Sequence, residues 1–110
     1  MIKAHNTIKQ ITAFSPLIAE SIKKLTVQLG NNYKELSDED INEMISSPNT
    51  ILFAAWDGKK QKIIGMVTLL VYRIPYVRKA YIDDLVVDEK YRGQGLGSEL
   101  IKKAVSSAKE

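Results

Sequence analysis

The stretch Leu85-Val86-Val87-Asp88-Glu89-Lys90-Tyr91-Arg92-Gly93-Gln94-Gly95-Leu96-Gly97-Ser98 constrains this chain more than any other part of it. An apolar run gives way to alternating glycines. Beyond them Leu96, Leu100, Ile101, Ala104, Val105 and Ala108 recur at helical spacing, predicting a helix over roughly 96–109. A strand must therefore turn sharply and open a helix. The first N–H groups of that helix have no internal partner, and the helix dipole adds partial positive charge there. Glycines let the backbone approach an anion with no Cβ in the way, and Arg92 contributes a formal charge.

The rest of the chain supplies a sheet for this turn to grow from. Residues 7–13 are rich in β-branched residues and predict a first strand. Ser15-Pro16 signals a helix start, and Leu17, Ile18, Ile22, Leu25 and Leu29 give one stripe that Gly30-Asn31-Asn32 should end. Ser37 and Asp40 have the spacing of a capping box for a short helix, with Ile41, Met44 and Ile45 inward and Pro48 beyond its end. Residues 50–57 and 63–73 predict an antiparallel hairpin around Asp57-Gly58, and residues 79–88 a fourth strand. The order is β-α-α-β-β-β-α. A helix following a strand normally returns the chain to the sheet, so residues 1–110 are expected to form a single domain that stops mid-fold.

Composition narrows the chemistry. With no cysteine, disulfides, thiolate metal sites and an acyl-cysteine route are excluded, and a reducing cytoplasm is compatible. The opening Met-Ile-Lys-Ala-His-Asn has no apolar signal region, and the longest apolar run, Ile63 to Tyr72, is too short for a membrane-crossing helix. A net charge of +3, sixteen Lys and Arg against thirteen Asp and Glu, suits a small anionic ligand better than a nucleic acid.

Two phosphate-binding patterns fit poorly. A Walker loop needs Gly-Lys-Ser/Thr, which is missing; a dinucleotide fingerprint needs Gly-x-Gly-x-x-Gly after the first strand and an acid further on. Arg92-x-x-Gly95-x-Gly97 instead has the form [Gln/Arg]-x-x-Gly-x-[Gly/Ala]. With the preceding Asp84 to Tyr91, and in this element order, it resembles the pyrophosphate-binding signature of the GNAT superfamily of acyl-CoA-dependent N-acetyltransferases. The resemblance covers the whole chain in element order and about 30 residues in detail.

That resemblance implies an α+β fold, a mixed, mostly antiparallel sheet with flanking helices, cut before the family's fifth strand. It implies acetyl-CoA as co-substrate, no metal, and direct transfer of an acetyl group to an amine whose identity stays open. Leu85, Val86 and Val87 would meet the pantetheine arm through the backbone, as an added strand would. Arg92, Gly93, Gln94, Gly95, Leu96 and Gly97 would hold the pyrophosphate, with the Ser98 hydroxyl beside them. An N–H near Val87 would stabilise the oxyanion. Asp83 and Asp84 are the candidate bases for the attacking amine; the pleat should send them to opposite faces. The glucosamine-6-phosphate acetyltransferases, which this stretch also resembles, carry an acidic pair at about this place. The family's later helix, with the Tyr that protonates the leaving thiolate, has no counterpart among these residues.

Plainer readings stand beside these. Asp83 and Asp84 could pair with Arg73 or Arg78; His5 is expected in a frayed terminus; Phe53 and Trp56 should be core. Lys59, Lys60 and Lys62 read as a solvated hairpin tip, and Tyr33 and residues 30–37 as one wall of an acceptor site. The alternative functions are a non-catalytic coenzyme A binding module, or a fragment completed by a partner chain, including a second copy, at the fourth strand's free edge.

Overall fold

Four strands pair in chain order, each antiparallel to the next: β1 (Asn6–Ile11), β2 (Thr50–Asp57), β3 (Lys62–Ile74) and β4 (Val77–Val87). Helices α1 (Pro16–Val27) and α2 (Asp38–Ser46) lie between β1 and β2 in sequence, and α3 (Leu96–Ala108) follows β4 after a short 3-10 turn at Glu89–Tyr91. The structure is a computed structural model and describes residues 3–30 and 36–109. Among these, no helix is long and apolar enough to cross a membrane.

The two faces of the sheet have separate cores. On one face Leu52, Ala54, Met66 and Val86 meet Ala19, Ile22 and Leu25 of α1 and Ile41 of α2. On the other, Phe53, Ala55, Val67 and Leu69 meet Leu96, Leu100 and Ala104 of α3. Strands covered on both faces read as nearly unbroken apolar runs, which is why 50–57 and 63–73 show so little alternation. Gly65 lies close under α3. A Cβ there would sit 3.3 Å from Leu100 Cδ1 and 3.3 Å from the Val86 carbonyl oxygen.

The helix starts follow their sequence signals. Ser15 Oγ accepts from the Ile18 amide, with Pro16 opening α1. Ser37 and Asp40 form a reciprocal capping box on α2. Two local expectations shift. The α1 helix ends at Val27, before Gly30, and Leu17 is half exposed because the buried stripe runs through Ala19, Ile22, Leu25 and Thr26. His5 is not frayed: its carbonyl accepts from the Gly58 amide and its Nε2 lies 3.8 Å from Asp57 Oδ1. Pro75 and Tyr76 form the turn from β3 into β4, where Ile74 pairs with Val77. Asn31, Asn32 and Tyr33, and with them most of the expected acceptor wall, lie outside the described residues.

Candidate acyl-coenzyme site

The turn between β4 and α3 is built for open main-chain amides. Gly95 is the N-cap of α3 at φ 85°, and no side chain caps the helix. Gly93 adopts φ 86°. Both lie in the left-handed region, where a Cβ is strained. Yet a Cβ built on either would meet nothing within 4 Å, so one side of the turn is clear. The glycines are there for backbone shape, not for want of room. Leu85, Val87, Tyr91, Arg92, Gly93, Gly95, Leu96 and Gly97 line a cleft of about 310 Å³ over this side. A 13-residue helix directing uncapped amides into a cleft fits the diphosphate expected there.

Not every expected residue takes part through its side chain. Leu96 is 1% exposed and packs in the core while also lining the cleft floor. Val86 pairs with Met66 and is buried on the opposite face, so it does not line the cleft. Ser98 is exposed in the first turn of α3, and Gln94 lines a neighbouring pocket instead. Arg92 folds back: its Nε donates to the Val87 carbonyl at 3.0 Å, tying the turn to the strand end. Val87 can accept there because it faces outward. Val86 pairs with Met66, and the Asp88 amide donates to Ile64 at 2.8 Å. Ladder alternation thus turns the N–H and C=O of the intervening Val87 away from β3, toward the free edge.

A bulge interrupts β4 just before this point. Met66 pairs with Val86 and Thr68 with Asp83, so two residues, Asp84 and Leu85, oppose Val67 alone. Asp84 takes φ 53°, and its amide donates to Asp83 Oδ1 at 2.8 Å. The extra residue corrects the expectation from pleat alternation. Asp83 and Asp84 do not separate to opposite faces; both line one cleft with Asp40, Glu43 and Met44 of α2. Partial burial, and then the charge of Asp83, push the Asp84 carboxyl above its ordinary value.

The turn is anchored from below by a pair that sequence reading passes over. Tyr91 Oη donates to Asp57 Oδ2 at 2.8 Å, while Asp57 Oδ1 accepts from the amides of Lys59 and Lys60. Burial pushes the Asp57 carboxyl up, but the bonds from Tyr91, Lys60 and Lys59 and the charge of His5 prevail and hold it below its ordinary value. Burial and the Asp57 bond push the Tyr91 hydroxyl up to about 12. A polar residue ending an apolar strand was the available signal, yet Asp57-Gly58 reads first as a turn. Lys60 and Lys62 also stand over the Tyr91 ring, 6.0 and 5.6 Å from its centroid, so this hairpin tip is not simply solvated.

Tyr91→Phe should cost about 1.5–3 kcal/mol, the worth of a hydrogen bond to a charged group, measured by urea unfolding at pH 7. The stability that Asp57 lends is full above its ordinary value of 3.8 and fades as pH falls through its lower folded value. Asp57→Asn should therefore be less stable than the parent at pH 7 and converge with it at strong acid. A constant difference down to pH 2 would contradict this.

No group of three or more His, Cys, Asp or Glu among the described residues is arranged to hold a metal ion. Residues 19–110 match the model of the acetyltransferase (GNAT) family. The chain is similar to an aminoglycoside acetyltransferase from an uncultured soil metagenomic sample, solved with trehalose, at 26% identity and TM-score 0.79, covering 99% of this chain and 73% of that one. It shares its fold with an acetyltransferase from Trypanosoma brucei (19% identity, TM-score 0.75, 94% of this chain and 75% of that one). It shares it also with glucosamine-6-phosphate N-acetyltransferase from Arabidopsis thaliana (20%, 0.72, 94% and 74%). No curated protein matches the chain.

Proposed function

The chain belongs to the GNAT acetyltransferase family, and from that premise we propose that it moves an acetyl group from acetyl-CoA directly to an amine. The observation that carries this reading is the pairing of an uncapped, glycine-led start of α3 with the outward-facing backbone of Val87, two features one coenzyme can engage together. The coenzyme supplies the activated acyl group. The amides from Arg92 to Gly97 hold its diphosphate, and Arg92 offers its remaining donors. The Val87 amide meets the pantetheine arm, and it lies at the strand edge where oxyanion charge would develop.

The acceptor enters from the α2 side. Asp40, Glu43, Asp83 and Asp84 give that cleft strong negative character, which favours a cationic amine. Asp40 also serves its helix cap, and Asp83 receives the Asp84 amide. Asp84, less exposed and with its carboxyl pushed up, is the base that takes the proton as the amine attacks and the carbon–sulfur bond breaks. The similarity to an aminoglycoside acetyltransferase agrees with an acceptor bearing several amines.

The test is thiol release from acetyl-CoA in the presence of mono- and polyamines. Turnover with polyamines is expected, and no release with any amine would refute the reading. Asp84→Asn should lower kcat about 100-fold or more with little change in KM for acetyl-CoA, and should abolish the rise in rate with pH through the Asp84 ionisation. A raised carboxyl pKa disfavours the fold once the group ionises. The same variant should therefore be more stable than the parent at pH 7, and the gain should vanish below about pH 4.

One observation favours a second reading, completion by a partner chain. The β4 edge is unpaired among the described residues and carries exposed Tyr81, Ile82 and Leu85. A concentration-dependent dimer in sedimentation would support it, and a monomer would count against it.

A further inference from the structure

Beside the diphosphate cleft, along the same turn, lies a second pocket of about 320 Å³ lined by Lys3, Lys59, Lys60 and Lys90 together with Asn6 and Gln94. Three separate stretches supply it: the start of β1, the tip of the β2–β3 hairpin, and the turn itself. Among the described residues its only carboxylate is Asp57, already engaged by Tyr91 and by the Lys59 and Lys60 amides, with His5 alongside. Four lysines thus line one pocket with a single, already committed counter-charge, a balance that favours an anion there.

A second, independent observation points the same way. Asn6 is 6% exposed, yet neither its Nδ2 nor its Oδ1 has a hydrogen-bond partner among the described residues, and Gln94 Oε1 is likewise without one. Buried amides are rarely left so, and an amide offering both a donor and an acceptor suits a partly protonated oxyanion.

We propose that this pocket binds a phosphate monoester, and that its occupant is the 3′-phosphate of the coenzyme. The proposal rests on the acyl-coenzyme A reading above. Tyr91 lines both this pocket and the diphosphate cleft, so the two are neighbours along one turn. The coenzyme's ribose carries the diphosphate at its 5′ position and the monoester at its 3′ position. Two anions one sugar apart match two cationic sites one turn apart. The turn would then hold two anions, its glycine amides on the diphosphate and Lys60 and Lys90 on the monoester.

Calorimetric titration of the protein with coenzyme A and with 3′-dephospho-coenzyme A tests this. The parent should bind coenzyme A about tenfold tighter or more, the worth of one or two charge-assisted hydrogen bonds. The double variant K60A/K90A should lose that preference to within about twofold, while keeping its affinity for the dephospho compound. Inorganic phosphate should weaken coenzyme A binding and leave dephospho-coenzyme A untouched. Equal binding of the two nucleotides by the parent would overturn the inference and leave the acyl-coenzyme A reading standing; binding of neither would overturn both. Phosphate that binds the parent but not the double variant, with no effect on coenzyme A, would assign the pocket to a free phosphate ligand and overturn the coenzyme assignment.

Discussion

Replacing Gly95 by Asp should abolish coenzyme A binding, and replacing it by Asn should not. Both side chains place a Cβ at φ 85°, so both carry the same backbone strain, and both tolerate the left-handed region better than other residues. They differ by a charge at the mouth of the α3 amides. A carboxylate about 4 Å from a diphosphate oxygen, at an effective dielectric of about 20, is opposed by about 4 kcal/mol, or two to three orders of magnitude in affinity. The Asn variant carries only strain and lost freedom, and should bind within about tenfold of the parent. Since a Cβ at this position meets nothing within 4 Å, neither variant should disturb the packing below. If the two variants bind alike, charge at this turn is irrelevant and the diphosphate lies elsewhere.

The second large effect concerns what holds the turn in place. Leu100 is fully buried between α3 and the sheet, near the point where Gly65 brings the two together. Leu100→Ala should cost about 2–5 kcal/mol, a substantial share of the roughly 5–15 kcal/mol that a domain has. The denaturant midpoint should fall with the slope unchanged. Val105 on the same helix is 38% exposed, and Val105→Ala should stay within about 0.5 kcal/mol of the parent. A loss below 1 kcal/mol at Leu100 would mean that α3 is not seated by this seam, leaving its amides unaimed.

Local signals in the sequence reached most of the fold because each has a short-range physical cause. Ser15-Pro16 and the Ser37–Asp40 box satisfy amides within one turn, and the apolar runs of β2 and β3 follow from cover on both faces. The glycine-led opening of α3 was legible for the same reason. What could not be read depends on register. The extra residue at Asp84 and Leu85 shows only when β4 is laid beside β3, and it alone gathers Asp83 and Asp84 into one cleft. Nothing in an Asp-Asp pair announces a left-handed backbone. The Tyr91–Asp57 bond joins the last residue of β2 to the 3-10 turn beyond β4, 34 residues on, and Asp57 looked like part of a turn. The acceptor cleft likewise draws Asp40 and Glu43 from α2 to β4, a meeting that only the α2 docking angle decides.

If the amides opening α3 receive the diphosphate, an amide-resolved NMR titration with coenzyme A will register it at those residues. The largest shifts are expected at Gly93 to Ser98, with Val87 next, saturating together at a single affinity. Shifts confined to other parts of the chain, with this segment unmoved at saturation, would contradict the account.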